Sequence, residues 1–320
     1  MARPIILGVV GDSATGKTTL TKGLVEILGS ENVTHIGMDD YHCYDRAERK
    51  EHEITPLDPE CNYMDIIGQH LGHLRKGEPI LKPVYQHGDG TFGRPDYVKP
   101  QSFVLIEGLL GYHTTELASH FDVRVYLAPP EDLRREWKVK RDTTKRGYTE
   151  EQVLAELDMR EPDSEAFIRP QRSRADIVVC FQPGEKDDPD HLDAVLTLRD
   201  GLPHPDLSSL DEDKGRDAIE VKQGASERKI HIPGDIDRER GAAIEEAIWE
   251  QMHFARHLRT EQLGMFAVGT DEAHRSESLA ITQVLILYHL VTAKATAAIG
   301  GDDEPTNGRD SSSSGVPSPA

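Results

Sequence analysis

Eight consecutive residues, Gly11-Asp12-Ser13-Ala14-Thr15-Gly16-Lys17-Thr18, have the spacing G-x-x-x-x-G-K-[ST], which lets a loop wrap a polyphosphate. Glycines allow successive backbone N–H groups to turn inward on an anion, and a helix starting behind them adds its positive end. Lys17 is expected to reach the β- and γ-phosphates of ATP, and the Thr18 hydroxyl to take a place on Mg²⁺. Thr19 closes the same cradle. A second chemical segment is Met38-Asp39-Asp40-Tyr41-His42-Cys43-Tyr44-Asp45-Arg46-Ala47-Glu48-Arg49-Lys50. A carboxylate of its acidic pair can accept the proton of an attacking hydroxyl. The His, Arg and Lys that follow can hold an anionic co-substrate in line with the γ-phosphate.

Such groups need elements to aim them. Ile5 to Val10 reads as a buried parallel strand leading into the loop, and Thr19 to Leu28 as an amphipathic helix leading out. Further strands are expected at 33–37, 103–107, 123–127 and 176–180, with helices at 63–75 and 130–146 between them. The second strand ends at the acidic pair and the third at Glu107-Gly108. Strand–helix alternation with apolar strands predicts an α/β fold, a doubly wound and mainly parallel sheet with helices on both faces. Ligands of such sheets bind beyond the carboxyl ends of the strands, where these acids lie. Residues 1–182 are therefore expected to form the kinase core. Residues 183–299 read as a C-terminal α+β extension, with short strands at 218–222 and 229–232 and two helices. The first helix carries Ile244, Ile248, Met252, Ala255 and Leu258 on one face, and the last runs from about 278 to 299. Residues 300–320, rich in Ser, Gly, Pro and Asp, are expected to be disordered.

A net charge of −20 argues against general nucleic-acid or anionic-membrane binding. An acidic chain that handles phosphates must gather its cations locally. Arg134, Arg135, Lys138, Lys140, Arg141, Lys145 and Arg146 crowd one stretch, opposed only by Glu136 and Asp142. The three cysteines, Cys43, Cys61 and Cys180, show no paired spacing, which suggests a reducing compartment. The phosphate loop begins too early to leave room for a secretory signal. Gln283, His289 and Lys294 interrupt the apolar stretch 279–299, so a packed helix is expected there and not a membrane span. The expected location is the cytoplasm.

The chain resembles the phosphoribulokinase/uridine kinase family, and within it the cyanobacterial and plant-type branch. The resemblance covers residues 5–182. It rests on the loop, on Asp39-Asp40-Tyr41-His42 with Asp45-Arg46 and Arg49-Lys50, and on Thr55-Pro56-Leu57-Asp58-Pro59. It continues in Lys82-Pro83-Val84-Tyr85-Gln86-His87, Ile106-Glu107-Gly108-Leu109, Trp137-Lys138-Val139-Lys140-Arg141-Asp142 and Arg169-Pro170-Gln171. It implies ATP-dependent phosphorylation of the O1 hydroxyl of ribulose 5-phosphate, giving ribulose 1,5-bisphosphate, by a homodimer. In that scheme Asp39 is the general base, and His42, Arg46, Lys50, Tyr85 and His87 bind the sugar phosphate. Glu107 helps to hold Mg²⁺. Lys138 and Arg141 neutralise the transferring phosphoryl group from a closing segment whose Asp142 assists with the metal.

Two features depart from the plant-type pattern. Thr15 and Gly37 stand where that branch carries a regulatory cysteine pair, so a thioredoxin-operated disulfide between those positions is impossible. The match from 183 to 299 is weak. Other acceptors also need weighing. A uridine or cytidine kinase would need a base-stacking pocket and no clamp for a co-substrate phosphate, and a kinase for another sugar phosphate would keep the clamp. A nucleotide-hydrolysing switch protein would need ordered switch loops around a water.

Overall fold

Ile5–Val10 (β1) is apolar and buried at all six positions, a pattern that a strand keeps only when both faces of its sheet are covered. The computed structural model describes residues 3–185, 188, 191–207, 219–266 and 274–300. After β1 come helix Lys17–Leu28 (α1), strand Val33–Gly37 (β2), helix Arg46–Glu51 (α2) and helix Met64–Arg75 (α3). Four short strands follow: Ile80–Lys82 (β3), Tyr85–Gln86 (β4), Thr91–Phe92 (β5) and Asp96–Val98 (β6). Next are Phe103–Gly108 (β7), helix Thr115–Ser119 (α4), Val123–Leu127 (β8), and helices Glu131–Lys145 (α5) and Glu150–Asp163 (α6). The chain continues through strands Ile177–Gln182 (β9), Asp193–Arg199 (β10), Glu220–Gln223 (β11) and Glu227–Ile232 (β12) to helix Arg238–Glu250 (α7). Strands Met265–Phe266 (β13) and His274–Arg275 (β14) precede the last helix, Glu277–Ala298 (α8).

Eight strands form one sheet in the order β11-β12-β10-β9-β8-β1-β7-β2. Strands β9, β8, β1, β7 and β2 run parallel, while β10, β12 and β11 pair antiparallel. Side-chain alternation splits the core into two layers. Ile5, Leu7 and Val9 point to the layer of Leu24, Ile248 and Leu285, drawn from α1, α7 and α8. Ile6 and Val10 point to the opposite layer, with Ile67 and Leu71 of α3 and Leu117 of α4. Each fully buried Leu or Ile contributes about 1.5–3 kcal/mol of transfer free energy. The doubly wound, mainly parallel sheet expected from the sequence is the observed fold.

The sheet does not stop at residue 182. Cys180 pairs with Val195 across β9 and β10, and one apolar layer holds residues from both sides of that point. Strand β10 was not expected. Its Ala194, Leu196 and Leu198 alternate inward, but the polar break before it masks the pattern. The expected helix through Leu258 is also shorter. It ends at Glu250, where Gln251 turns to bond Asp206, and His253–Leu258 continues as a 3-10 turn that keeps Met252 and Ala255 buried. Helix α8 is long and apolar enough to cross a membrane, yet 67% of its apolar window is buried, packed on α7, α1, β10 and β1. Residues 301–320, expected to be disordered, lie outside the described residues, as do parts of the expected loops around 186–190 and 204–214 and the start of the strand expected at 218.

Candidate active site

The phosphate loop joins the end of β1 to the start of α1. Gly16 has φ 90° and Ala14 φ 64°, left-handed values that open the loop outward, and Gly16 suits one of them at no steric cost. Helix α1 has no side-chain cap, so its first N–H groups are left for a ligand. Lys17 Nζ donates to the carbonyls of Gly11 at 2.8 Å and Asp12 at 2.6 Å. Burial pulls the Lys17 ammonium below its ordinary pKa, against the charges of Asp12, Asp39 and Glu107, which hold it up.

Strand β2 delivers the acidic pair through a 3-10 turn, Met38–Tyr41. A Cβ on Gly108 would stand 2.5 Å from the Met38 Cβ, so this glycine lets the ends of β2 and β7 close together. That contact brings Asp39 and Glu107 to the same rim. The two aspartates then separate by role. Asp40 is bonded to Lys82 Nζ and accepts from the Tyr85 N–H at 2.9 Å, which ties the turn to β4. The Asp39 side chain is 46% exposed, and its Oδ2 lies 4.0 Å from His87 Nε2. Glu107 accepts from Thr21 Oγ1 at 3.0 Å and lies 3.3 Å from His35 Nε2. Burial would raise its pKa, but the bonds and charges of His35, Thr21 and Lys17 outweigh burial and hold it below the usual glutamate value.

The expected acceptor residues gather around Tyr85. Its ring meets His42 edge-on at 5.0 Å and His87 at 5.2 Å. His42 Nδ1 lies 2.8 Å from Asn62 Oδ1. Burial lowers the His42 pKa, against the raising effect of Asp39, which favours the neutral ring. Arg46 opens α2 and donates to the His87 carbonyl at 2.7 Å. The capping box of Asp45 and Glu48 fixes the start of that helix. Arg49, left out of the expected set, donates to Tyr85 Oη at 2.6 Å and lies 5.1 Å over its ring. Its i+3 spacing from Arg46 was the signal that could have found it.

Ser13 to Thr19, Asp39, His42, Arg46, Tyr85, His87, Glu107 and Arg141 line one cleft of 1240 Å³. Gly11, Asp12, Lys50, Lys138 and Asp142 are not in its wall. Lys50 is exposed, and Arg49 lines the cleft beside Arg46. The Asp12 carboxylate turns back to Arg134 and Ser164. Lys138, expected at the phosphoryl group, is 1% exposed and lies between Asp142 Oδ2 at 2.7 Å and Glu156 Oε1 at 3.0 Å. Asp142, expected near the metal, gives Oδ1 to Arg141 Nε at 2.8 Å and Oδ2 to Lys138. Burial would raise the Asp142 pKa, but Arg141 and Lys138 bring it below the ordinary aspartate value. Both residues sit on the inner stripe of α5, where they join it to α6. The cleft-facing side carries Arg141, within 3.4 Å of Ser13 Oγ, together with Trp137 and Lys140.

The Thr18 hydroxyl and the Glu107 carboxylate both line the cleft as oxygen donors for a cation. Among the described residues no cluster of three or more His, Cys, Asp or Glu could hold a metal by itself. That set fits Mg²⁺, which keeps waters and takes most remaining ligands from phosphates.

The model of the Phosphoribulokinase / Uridine kinase family matches residues 6–186. Phosphoribulokinase of Synechocystis is 39% identical over 181 residues, covering 57% of this chain and 54% of its own length. The chloroplastic phosphoribulokinase of Mesembryanthemum crystallinum is 31% identical over 215 residues, covering 62% and 54%. The chain thus spans about half the length of the curated phosphoribulokinases it matches. The solved phosphoribulokinase from Rhodobacter spheroides superposes with a TM-score of 0.57 at 20% identity, over 80% of this chain and 98% of that one, a likeness of fold. With the family model spanning more than half of its length, the chain belongs to the phosphoribulokinase/uridine kinase family.

Proposed function

We propose that the chain transfers the γ-phosphoryl group of ATP to the O1 hydroxyl of ribulose 5-phosphate, releasing ADP and ribulose 1,5-bisphosphate. One observation carries the reading: both aspartates line the cleft with the phosphate loop, Arg46 and Arg49, but Asp40 is bonded to Lys82 Nζ and the Tyr85 N–H, while the Asp39 side chain is 46% exposed. The loop N–H groups and the α1 N-terminus hold the triphosphate. Lys17 exchanges its carbonyl partners for phosphate oxygens, and Arg141 neutralises charge on the transferring group. Arg46 and Arg49 hold the 5-phosphate of the sugar, as guanidinium forks suit a terminal phosphate. His42, braced by Asn62, offers a hydrogen bond to the sugar. Asp39 takes the O1 proton as the new bond forms. Thr18 and Glu107 would hold Mg²⁺, which supplies charge neutralisation of the β- and γ-phosphates. The reading includes a cytoplasmic homodimer, and light scattering tests the stoichiometry.

The deciding experiment measures ATP-dependent turnover with ribulose 5-phosphate, ribose 5-phosphate, other sugar phosphates and uridine. Ribulose 5-phosphate should have the highest kcat/KM. Faster phosphorylation of uridine would replace this reading with a nucleoside kinase, and faster turnover of another sugar phosphate would change the acceptor. Hydrolysis that proceeds equally without any acceptor would point to a switch protein.

A further inference from the structure

Helices α5 and α6 form one stiff unit. Lys138 is buried between Asp142 of its own helix and Glu156 of the next, and Arg135 pairs with Asp158 at 2.7 Å. The unit carries Arg141 and Trp137 over the phosphate loop. Its far end is irregular. Pro162 sits in the last turn of α6, and the chain passes directly into a π-helical turn, Ser164–Ile168. Turns of that kind recur at functional sites.

Two successive residues at this point bond to segments behind opposite halves of the cleft, Asp12 beside Ser13 and Thr55 beside Pro56. Neighbours on a helix project about 100° apart, which suits one residue to each half. Ser164, 1% exposed, donates to Asp12 Oδ2. The other Asp12 oxygen accepts from the Ser13 N–H at 2.6 Å and lies 3.5 Å from Arg134. The side chain is thus fixed on the phosphate-loop side. Asp163 Oδ2 accepts from Thr55 Oγ1 at 2.6 Å, and that oxygen accepts from the Leu57 N–H at 3.1 Å. Between Thr55 and Leu57, Pro56 lines the cleft. Its carbonyl accepts from Asn62 Nδ2 at 3.1 Å, and Asn62 orients His42. A continuous set of bonds therefore runs from the π-turn to the acceptor side.

We propose that Asp163 and Ser164 are positioning residues, which set the phosphate loop and the acceptor segment at a fixed separation through Asp12 and Thr55. Neither residue touches a reacting atom. Ser164 fixes the donor half and Asp163 the acceptor half, and the stiff helix pair keeps the two in register. The acceptor half of this inference rests on the kinase reading above, whereas the donor half requires only a bound nucleotide.

The full-length chain is used throughout. Ser164→Ala should weaken ATP binding, measured by calorimetry without acceptor, about five- to tenfold, and leave the acceptor KM within about twofold. Asp163→Ala and Thr55→Val should each raise the acceptor KM by about five- to tenfold and leave ATP binding within about twofold. The double variant Asp163→Ala/Thr55→Val should be no worse than either single change, as expected for two ends of one bond. Ser164→Ala combined with Thr55→Val should lower kcat more than either alone. Equal effects on both ligands, a lowered melting temperature with unchanged ligand constants, or multiplying losses for the Asp163–Thr55 pair would overturn the proposal. If ribulose 5-phosphate is not turned over, the functional reading fails, and calorimetry on Ser164→Ala still decides the donor half.

Discussion

On the proposed reading, Arg46→Ala separates the clamp for the acceptor phosphate from the nucleotide half of the site. Arg46 Nη2 donates to the His87 carbonyl, which holds the guanidinium at the cleft and leaves further N–H donors on the same fork. A hydrogen bond from a charged donor contributes about 1.5–3 kcal/mol. Losing one such bond to the sugar phosphate raises its KM about 10- to 150-fold. The helix should survive the change. The Asp45–Glu48 capping box uses neighbouring residues, the bond from the Arg46 N–H to the Gly90 carbonyl is main chain, and alanine is a good helix former. Lys50→Ala serves as the comparison, because Lys50 is exposed and outside the cleft wall. It should change the acceptor KM by less than about threefold, the scale of a surface charge. The assay follows ADP release against ribulose 5-phosphate at saturating ATP, then against ATP at saturating sugar. An Arg46→Ala variant that raised both KM values equally, or a Lys50→Ala variant as impaired as Arg46→Ala, would refute this assignment of the clamp.

Asp39→Asn should lower kcat by about 10²–10⁴ with ATP binding nearly intact, and near-normal turnover in a steady-state assay would remove Asp39 as the base. Glu107→Gln should raise the Mg²⁺ concentration for half-maximal rate several-fold, and an unchanged Mg²⁺ titration would return Glu107 to a purely structural part beside Thr21. His289, buried on α8 with its ring 5.2 Å from that of His204, has its pKa pushed from 6.5 to about 3, chiefly by burial and then by His204. A depressed folded-state pKa means that its neutral form stabilises the fold above about pH 6.5 and that this contribution is lost as pH falls toward 3. The cost is up to about 1.4 kcal/mol per pH unit. Urea midpoints between pH 7 and 5 should therefore fall less steeply in His289→Gln than in the parent, and parallel profiles would contradict this. Burial raises the thiol pKa of all three free cysteines, Cys61 to about 12. Activity should therefore be equal after mild oxidation and after reduction, even though the Cys43 N–H donates to the Cys61 carbonyl at 2.9 Å beside the His42–Asn62 bridge. Mass spectrometry linking a Cys43–Cys61 disulfide to a reversible loss of activity would show otherwise.

Periodicity made the parallel half of the sheet legible because its strands are wholly apolar and end at chemically distinctive residues. Ile5–Val10 and Phe103–Gly108 needed no tertiary information. Strand β10 was harder for a physical reason. It is an antiparallel strand with Thr197 and Arg199 among its residues, so its signal is alternation over seven positions and not a continuous run. A polar stretch just before it suggested a boundary, although the sheet continues across that point.

Within the site, side-chain identity indicated the chemistry, but helical phase decided which groups could perform it. Arg134, Lys138 and Asp142 recur every four residues on α5 and are all buried, while Trp137, Arg141 and Thr144 line the cleft. A count of cations cannot separate these two stripes, since both carry positive charge. Burial separates them because an ammonium taken from water needs anionic partners. Lys138 has two, so the same desolvation that withdraws it from the cleft makes it a link between helices. The acidic pair follows the same logic. Asp40 is held by Lys82 and the Tyr85 main chain, and its oxygens are committed to holding the turn. On the proposed reading that commitment leaves Asp39 for the proton transfer, so the neighbour with the structural role helps to define the one given the chemical role.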